Sequence, residues 1–384
     1  MTELPEPDAV SLEHSTRLRQ LLRERIDAVG PIPFARYMEY VLYEPGFGYY
    51  MAGATKFGDA GDFITAPEVS PLFGAALANE VRGVLRRQGG EILELGAGSG
   101  KLASSMVQAL QDVDDLRYTI LEPSAELVER QRELLEDQLD KSLFRKLQWI
   151  DSLPSTFRGV VVANEVMDAL PVERFVQAEQ LQQVFVGADL AAMTRPADDS
   201  LVRAVAAIEG DLGQSLAPGY CSEICLLLNP WVASLSQMLD TGVILLIDYG
   251  YPRREYYLPE RCQGTLACYY RHRSHDDPFK WPGLQDITAH VDFTSVAEAA
   301  VSHGLELLGY ASQSAFLLDN DLLPLAERLT GSVKRERDRI AVAKAVKTLT
   351  LPGEMGERFQ VMALGRGYDH PLHGFRTQDF SYRL

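Results

Sequence analysis

The sequence predicts an α/β protein built on a doubly wound, mostly parallel sheet of seven strands, with an N-terminal helical segment and helical and hairpin insertions. Three observations predict it. Short apolar runs alternate with helical periodicity along the chain, as βα units require. One such run, Ile92, Leu93 and Leu95, leads into glycines spaced two apart, Gly96, Gly98 and Gly100, and then into a helical pattern near Lys101. Two intervals between later strands are longer than a simple crossover needs, and such insertions sit at the ligand-binding edge of this architecture.

In chain order, residues 1–14 carry Pro5 and Pro7 without periodicity and read as a loose arm. Leu18, Leu21, Leu22 and Ile26 recur at helical spacing, giving a helix from Ser15 to Val29 capped by Ser15 or Thr16 and stopped at Gly30-Pro31. A short helix from Pro33 to Leu42 follows, then an aromatic, glycine-rich loop, a breaker-rich stretch from Gly58 to Pro71, and a helix from Leu72 to Arg87. Residues 1–90 thus form a helical segment with loops that read as a lid or wall over the site. The domain proper spans 91–384. Its strands are the run ending at Leu95, Arg117 to Leu121, Leu147 to Ile150, Gly159 to Ala163, Gly242 to Asp248, Leu305 to Ser312 and Arg358 to Leu364. Helices intervene at Lys101 to Leu110, Ser124 to Gln138 and the basic stretch Val333 to Leu349. The insertions cover about 164–241, with a hairpin over Glu173 to Val186 and a helix over Leu201 to Leu216, and about 250–292, which is aromatic and basic.

Composition narrows the function classes. A net charge of −17 disfavours phosphate-driven binding of nucleic acid and suits a cationic partner. No apolar run is long enough to insert into a membrane, and the polar, acidic N-terminus resembles neither a secretory signal nor a transit peptide, so a cytoplasmic location is expected. Cys221, Cys225, Cys262 and Cys268 match no common zinc spacing, and neither a metal site nor disulfides are expected. A homodimer stays open.

The glycine turn is a nucleotide-type site, because glycine lets a ligand approach the backbone and the following helix offers free N–H groups. A P-loop is excluded at two positions: Leu95 stands where its first glycine belongs and Leu102 where its hydroxyl belongs. The dinucleotide fingerprint needs its third glycine at Lys101, one residue later than observed. Glu94 adds a carboxylate at the strand end, unfavourable for a pyrophosphate and favourable for an amino group. Glu122, 22 positions after Gly100, ends the next strand and suits two ribose hydroxyls, and Asp151 ends the third, where it suits an adenine amino group. This E-x-G-x-G-x-G arrangement is similar to that of Rossmann-like methyltransferases that use S-adenosyl-L-methionine.

Methyl transfer asks the protein chiefly to align the acceptor and manage its charge. Directly after the fourth strand stand Asn164, Glu165 and Asp168, an amide beside the cofactor crevice and two carboxylates three apart, which share a face if the segment is helical. Such a pair binds and polarises a guanidinium, so a basic acceptor such as arginine is favoured. Asp168 serves equally well as a helix cap for Ala169 and Leu170. Glu68 and Asp62 are further carboxylate candidates, Thr65 is a hydroxyl donor to the cofactor, and His290 with Asp292 offers a base and its orienting carboxylate, sharing a strand face. Arg253, Arg254, Arg271, His272 and Arg273, interleaved with tyrosines, read as a partner-protein surface.

The segments GDFITAPEVSPLFG (61–74), LELGAGSGKLA (93–103), ANEVMDALPVERF (163–175), IDYGY (247–251), GTLACYYRHR (264–273) and AHVDFT (289–294) together resemble the MidA-type family, which includes the mitochondrial complex I assembly-factor arginine methyltransferase. The similarity runs from about Pro31 to Gly365. It implies a class I methyltransferase fold, S-adenosyl-L-methionine as cofactor and arginine N-methylation of a partner protein, symmetric dimethylation of a complex I subunit in the mitochondrial member. Gly96, Gly98 and Gly100 match the family's cofactor loop; Glu165 and Asp168 match its acidic motif. Without a presequence-like N-terminus, the chain looks like a bacterial relative, whose substrate need not be the same. Two other readings compete: a cofactor-binding assembly chaperone that transfers nothing, and a methyltransferase acting on a small molecule.

Overall fold

The computed structural model describes residues 4–52 and 64–384, and its contacts divide the chain into two units. The first unit gathers the residues up to Phe63 with Met167–Asn229 and Tyr251–Asp292, so the N-terminal segment and the bulk of both insertions fold together. Helix α1 (Ala9–Val29) begins earlier than the periodicity indicates. Asp8, rather than Ser15 or Thr16, caps it by accepting the Ser11 N–H at 2.9 Å, so residues 9–14 are helical, not a loose arm. Ser15 lies on the buried face instead.

Helix α2 (Phe34–Tyr43) packs Phe34, Tyr37 and Met38 with Leu18, Leu22 and Ile26 of α1 into one apolar cluster. That cluster also takes Val184 and Val186 from the strand Gln182–Val186 and Ile287 from the strand Asp286–Thr288. The expected hairpin is present as Glu173–Val176 and Gln182–Val186, extended by Cys221–Ile224 on one side and by Ile32–Pro33 and Ala192–Pro196 on the other. A separate three-stranded sheet holds Ala267–Tyr270 between Arg273–His275 and Asp286–Thr288.

The second unit comprises Ile64–Val166, Pro230–Gly250 and Phe293–Leu384. Its helices α3 (Ala66–Val69) and α4 (Pro71–Gln88) precede the sheet, and α4, grouped by sequence with the N-terminal segment, supplies Leu72, Phe73, Leu77 and Val81 to the core of this unit. The strands are β1 (Glu91–Leu95), β2 (Tyr118–Leu121), β3 (Leu147–Ile150), β4 (Phe157–Asn164), β5 (Leu239–Tyr251), β6 (Glu306–Ser312) and β7 (Phe359–Arg366). They run in the order β3-β2-β1-β4-β5-β7-β6. All neighbours from β3 to β5 are parallel, and β7 runs antiparallel to both β5 and β6. The order reverses beside β1, which puts the ends of β1 and β4 at the switch point where ligands bind in open α/β sheets. Because both faces of the parallel strands are covered, Val160 to Val162 and Val243 to Ile247 read as unbroken apolar runs and are 0–1% exposed. This is the class I methyltransferase arrangement. Among the described residues no helix is long and apolar enough to cross a membrane.

Candidate active site

The glycine turn joins β1 to helix α5 (Lys101–Ala109). Gly96, Gly98 and Gly100 have φ of 64°, 54° and 87°, the left-handed region that L side chains enter only with strain. Space is not the reason for glycine at two of them. A Cβ at Gly96 would come no nearer than 3.5 Å to Val166 Cγ2, and one at Gly100 no nearer than 3.5 Å to Gln131 and Leu135. Gly100 occupies the N-cap of α5 with no side-chain cap, so the first-turn N–H groups of that helix are not taken by a capping side chain.

Two tethers hold this turn. On one side Glu68, from α3, accepts from Ser99 Oγ and from Lys101 Nζ, and its own side chain is 3% exposed. The structure therefore makes Glu68 an anchor of the glycine turn. On the other side Gln131, fully buried on helix α6 (Ala125–Gln138), donates to Gly98 O at 3.0 Å and to Glu122 Oε2 at 3.1 Å, while its own oxygen accepts from Trp149 Nε1 at 3.0 Å. Glu122 also accepts the Ser124 N–H at 3.0 Å. Gln131 thus connects the glycine turn, the Glu122 carboxylate and the Trp149 ring. Sequence reasoning missed it.

Beside Glu122 opens a cleft of about 1020 Å³ lined by Glu122, Arg132, Trp149, Asp151, Ser152 and Pro154. It joins the ends of β2 and β3, so Glu122 and Asp151 share one cavity. Its volume is of the order that small-molecule and cofactor pockets have. Arg132 lies over the Trp149 ring, 4.9 Å from its centroid, and Ser152 donates to Asp151 at 3.0 Å.

Glu94 is 2% exposed and accepts from the Tyr118 hydroxyl at 2.7 Å. Burial raises its pKa to about 7; the Tyr118 hydrogen bond lowers it and the nearby Glu122 carboxylate raises it further. At the end of β4, Asn164 Nδ2 donates to Glu165 at 3.0 Å, while Asn164 Oδ1 is buried with no hydrogen-bond partner among the described residues. An acceptor left in that state at a crevice suits a ligand donor. Glu165 has φ of 54°, and its N–H is fixed to Ile247 O at 2.8 Å. The segment from Glu165 to Leu170 is a turn, so the shared helical face expected for Glu165 and Asp168 is absent, and Asp168 caps no helix. A left-handed residue straight after the strand breaks helical geometry before it can start.

Asp168 and His290 belong to the first unit. Asp168 is 6% exposed, and its carbonyl accepts the Ala289 N–H at 3.0 Å. His290 packs against Tyr251 with ring centroids 5.2 Å apart, and only Val291 and Asp292 of its segment are in a strand. Asp292 pairs with Arg253 at 3.2 Å, and Arg253 is 5% exposed with Asp211 as a second partner at 3.5 Å. Part of the stretch expected as a partner surface is therefore interior: Arg253, Tyr256, Tyr257 and Tyr270 are all buried, whereas Arg271, His272 and Arg273 are exposed. Thr65 caps α3 through its backbone, its carbonyl accepting from Glu68 and Val69. Asp62 lies outside the described residues.

With this geometry in hand, residues 72–311 match the model of a family of S-adenosyl-L-methionine-dependent methyltransferases. The chain belongs to that family. A Burkholderia thailandensis protein solved with S-adenosyl-homocysteine bound is 42% identical over the whole of both chains, with a TM-score of 0.91. The mitochondrial protein arginine methyltransferase NDUFAF7 homolog of Drosophila melanogaster is 29% identical over 97% of this chain and 92% of its own length. Human mitochondrial protein arginine methyltransferase NDUFAF7 is 27% identical over 91% of this chain and 83% of its own length. The protein is a methyltransferase with S-adenosyl-L-methionine as its cofactor, and the residues present fit that group. The turn gives backbone approach, the cleft beside Glu122 has room for a nucleoside, and Asn164 Oδ1 offers an open acceptor.

Proposed function

We propose that this methyltransferase methylates an arginine guanidinium of a partner protein, with Glu165 as the residue that orients the acceptor. The observation that carries the reading is the backbone of Glu165. Glu165 is held at φ 54° directly after β4, with Val166 packed next to Gly96, so a left-handed backbone fixes where this carboxylate leaves the sheet beside the glycine turn. The names of the mitochondrial relatives support arginine as the acceptor.

In this reading Glu122 and Asp151 hold the sugar and base of the cofactor, the glycine turn receives its amino-acid end, and Thr65 and Asn164 complete its polar contacts. Bound S-adenosyl-L-methionine supplies a methyl group on a positively charged sulfur. Glu165 aligns the guanidinium by charge-assisted hydrogen bonds, directs one terminal nitrogen forward and accepts the proton which that nitrogen loses.

The test is transfer of isotope-labelled methyl from the cofactor into a lysate, followed by mass spectrometry of labelled arginine. Glu165→Gln is expected to cut incorporation at least ten-fold with unchanged S-adenosyl-homocysteine affinity. Full activity of that variant removes Glu165 from the reaction, and label confined to small metabolites overturns the protein acceptor.

A further inference from the structure

Within the second unit, one carboxylate takes up two side-chain donors of the glycine turn. Glu68 accepts from Ser99 Oγ through one oxygen and from Lys101 Nζ through the other. Its side chain is 3% exposed, against 38% for Lys101, so the carboxylate is enclosed while the lysine stays partly in solvent. Among the described residues Lys101 has no other carboxylate partner. Lys101 is the first residue of α5, where the positive end of the helix dipole disfavours a cation, and no side chain caps that helix. A glycine turn, an uncapped helix start and a lysine directly after the last glycine are the parts with which a P-loop cradles phosphate. Leu95 and Leu102 break that motif, yet they leave the charge of Lys101 in place.

We infer that Glu68 is a specificity-determining residue of this turn: by neutralising Lys101 it suits the turn to the zwitterionic amino-acid end of the cofactor and bars phosphate-bearing nucleotides. The inference rests on the reading in which the turn receives that end of the cofactor. An ammonium beside a helix start attracts anions, and a polyphosphate gains more from it than a single carboxylate does, because it brings more charge. With Glu68 in place the pair carries no net charge, and a phosphate approaching Lys101 meets a carboxylate fixed against it. A zwitterion brings both signs and meets no such net repulsion. This charge role differs from that of a tether. A glutamine at position 68 keeps an oxygen to accept from Ser99 or Lys101, so it retains hydrogen bonds to the turn and removes only the charge.

The experiment measures binding of inorganic pyrophosphate and of S-adenosyl-homocysteine by calorimetry. It compares the full chain, Glu68→Gln, and Glu68→Gln combined with Lys101→Met, with folding judged by circular dichroism. Pyrophosphate is expected to bind Glu68→Gln at least about ten-fold more tightly than the wild type, since an unmasked ammonium then faces the anion. The gain should vanish when Lys101→Met is added, and the bound pyrophosphate should compete with S-adenosyl-homocysteine. Glu68→Ala stands in if Glu68→Gln does not fold. Pyrophosphate binding in the folded variant no tighter than in the wild type overturns the inference and leaves Glu68 an anchor only. A gain that survives Lys101→Met overturns it as well. A gain that needs Lys101 but leaves S-adenosyl-homocysteine binding undisturbed would uphold the masking of Lys101 and overturn only the placement of the cofactor's amino-acid end on the turn.

Discussion

Replacing Glu94 by Gln tests the electrostatics beneath the glycine turn. The carboxyl group has its ordinary value of 4.5 in the unfolded chain and about 7 in the folded one, because burial under α5 disfavours its charge. Below pH 4.5 both states carry the proton and the group costs nothing. As pH rises through the window, the unfolded chain releases the proton while the folded chain keeps it, so stability falls. Above pH 7 the penalty is complete, at about 3 kcal/mol from 1.36 kcal/mol per unit. Between pH 5 and pH 8 the change attributable to this one group is about 2.5 kcal/mol. Glu94→Gln cannot ionise and keeps an oxygen to accept from Tyr118. Urea denaturation of both proteins at pH 5 and pH 8, followed by tryptophan fluorescence, should therefore show the wild type losing about 2.5 kcal/mol more than the variant. Tyr118→Phe removes the hydrogen bond that lowers the Glu94 value and should extend the wild-type decline to higher pH. Parallel pH dependence in wild type and Glu94→Gln would refute the reasoning, since Glu94 would then ionise equally in both states.

Gly100→Ala has room for its methyl group but forces φ of 87° on an L residue, so a loss of about 1–2 kcal/mol in stability and weaker S-adenosyl-homocysteine binding are expected by calorimetry; an unchanged affinity would mean that the turn relaxes freely. Glu122→Ala removes the carboxylate that Gln131 and Ser124 hold in the cleft, and the dissociation constant for S-adenosyl-homocysteine should rise ten-fold or more. Should it stay within two-fold, Glu122 does not touch the ligand. Arg253→Met takes a guanidinium from the buried Asp292 carboxylate and should cost about 3 kcal/mol, read as a lower urea midpoint. A midpoint equal to that of the wild type would place this pair among the ion pairs that a hydrophobic side chain replaces without loss.

The central sheet was legible because its signals are local. An apolar run, a glycine turn and a helix lie within a dozen residues at Glu91–Leu102, and Leu147–Ile150 was bounded to the residue. The start of α1 was not legible. Its first turns expose Val10 at 79% and Leu12 at 47%, so no apolar stripe marks them, and the only signal was Asp8 three residues before Ser11. The left-handed turn at Glu165 was hidden because glutamate seldom adopts that conformation and ANEVMDALP reads as a helix start. Arg253 read as surface because its partners Asp211 and Asp292 are about forty residues away on either side. Ionisable residues in an insertion reveal their burial only when the insertion is folded.

Gln131 marks the same limit from the opposite direction. It sits in AELVERQRELLEDQ, a helix so charged that a glutamine there reads as solvated, yet it is 0% exposed. Three glycines at positive φ give the turn wide freedom in the unfolded chain, and ordering it is costly. Apolar packing cannot offset that cost at a turn with so few side chains, so hydrogen bonds from outside must fix it. Glu68 grips Ser99 and Lys101, and Gln131 grips the Gly98 carbonyl, so the turn is held at residues on and beside its glycines. Because Gln131 also bonds Glu122 and Trp149, the turn, the carboxylate and the wall of the cleft are set by one side chain. A site arranged before its ligand arrives pays less of the ordering entropy on binding. That is why a buried amide, chemically inert and distant in sequence from the glycines, fixes the glycine turn and the cleft beside it together.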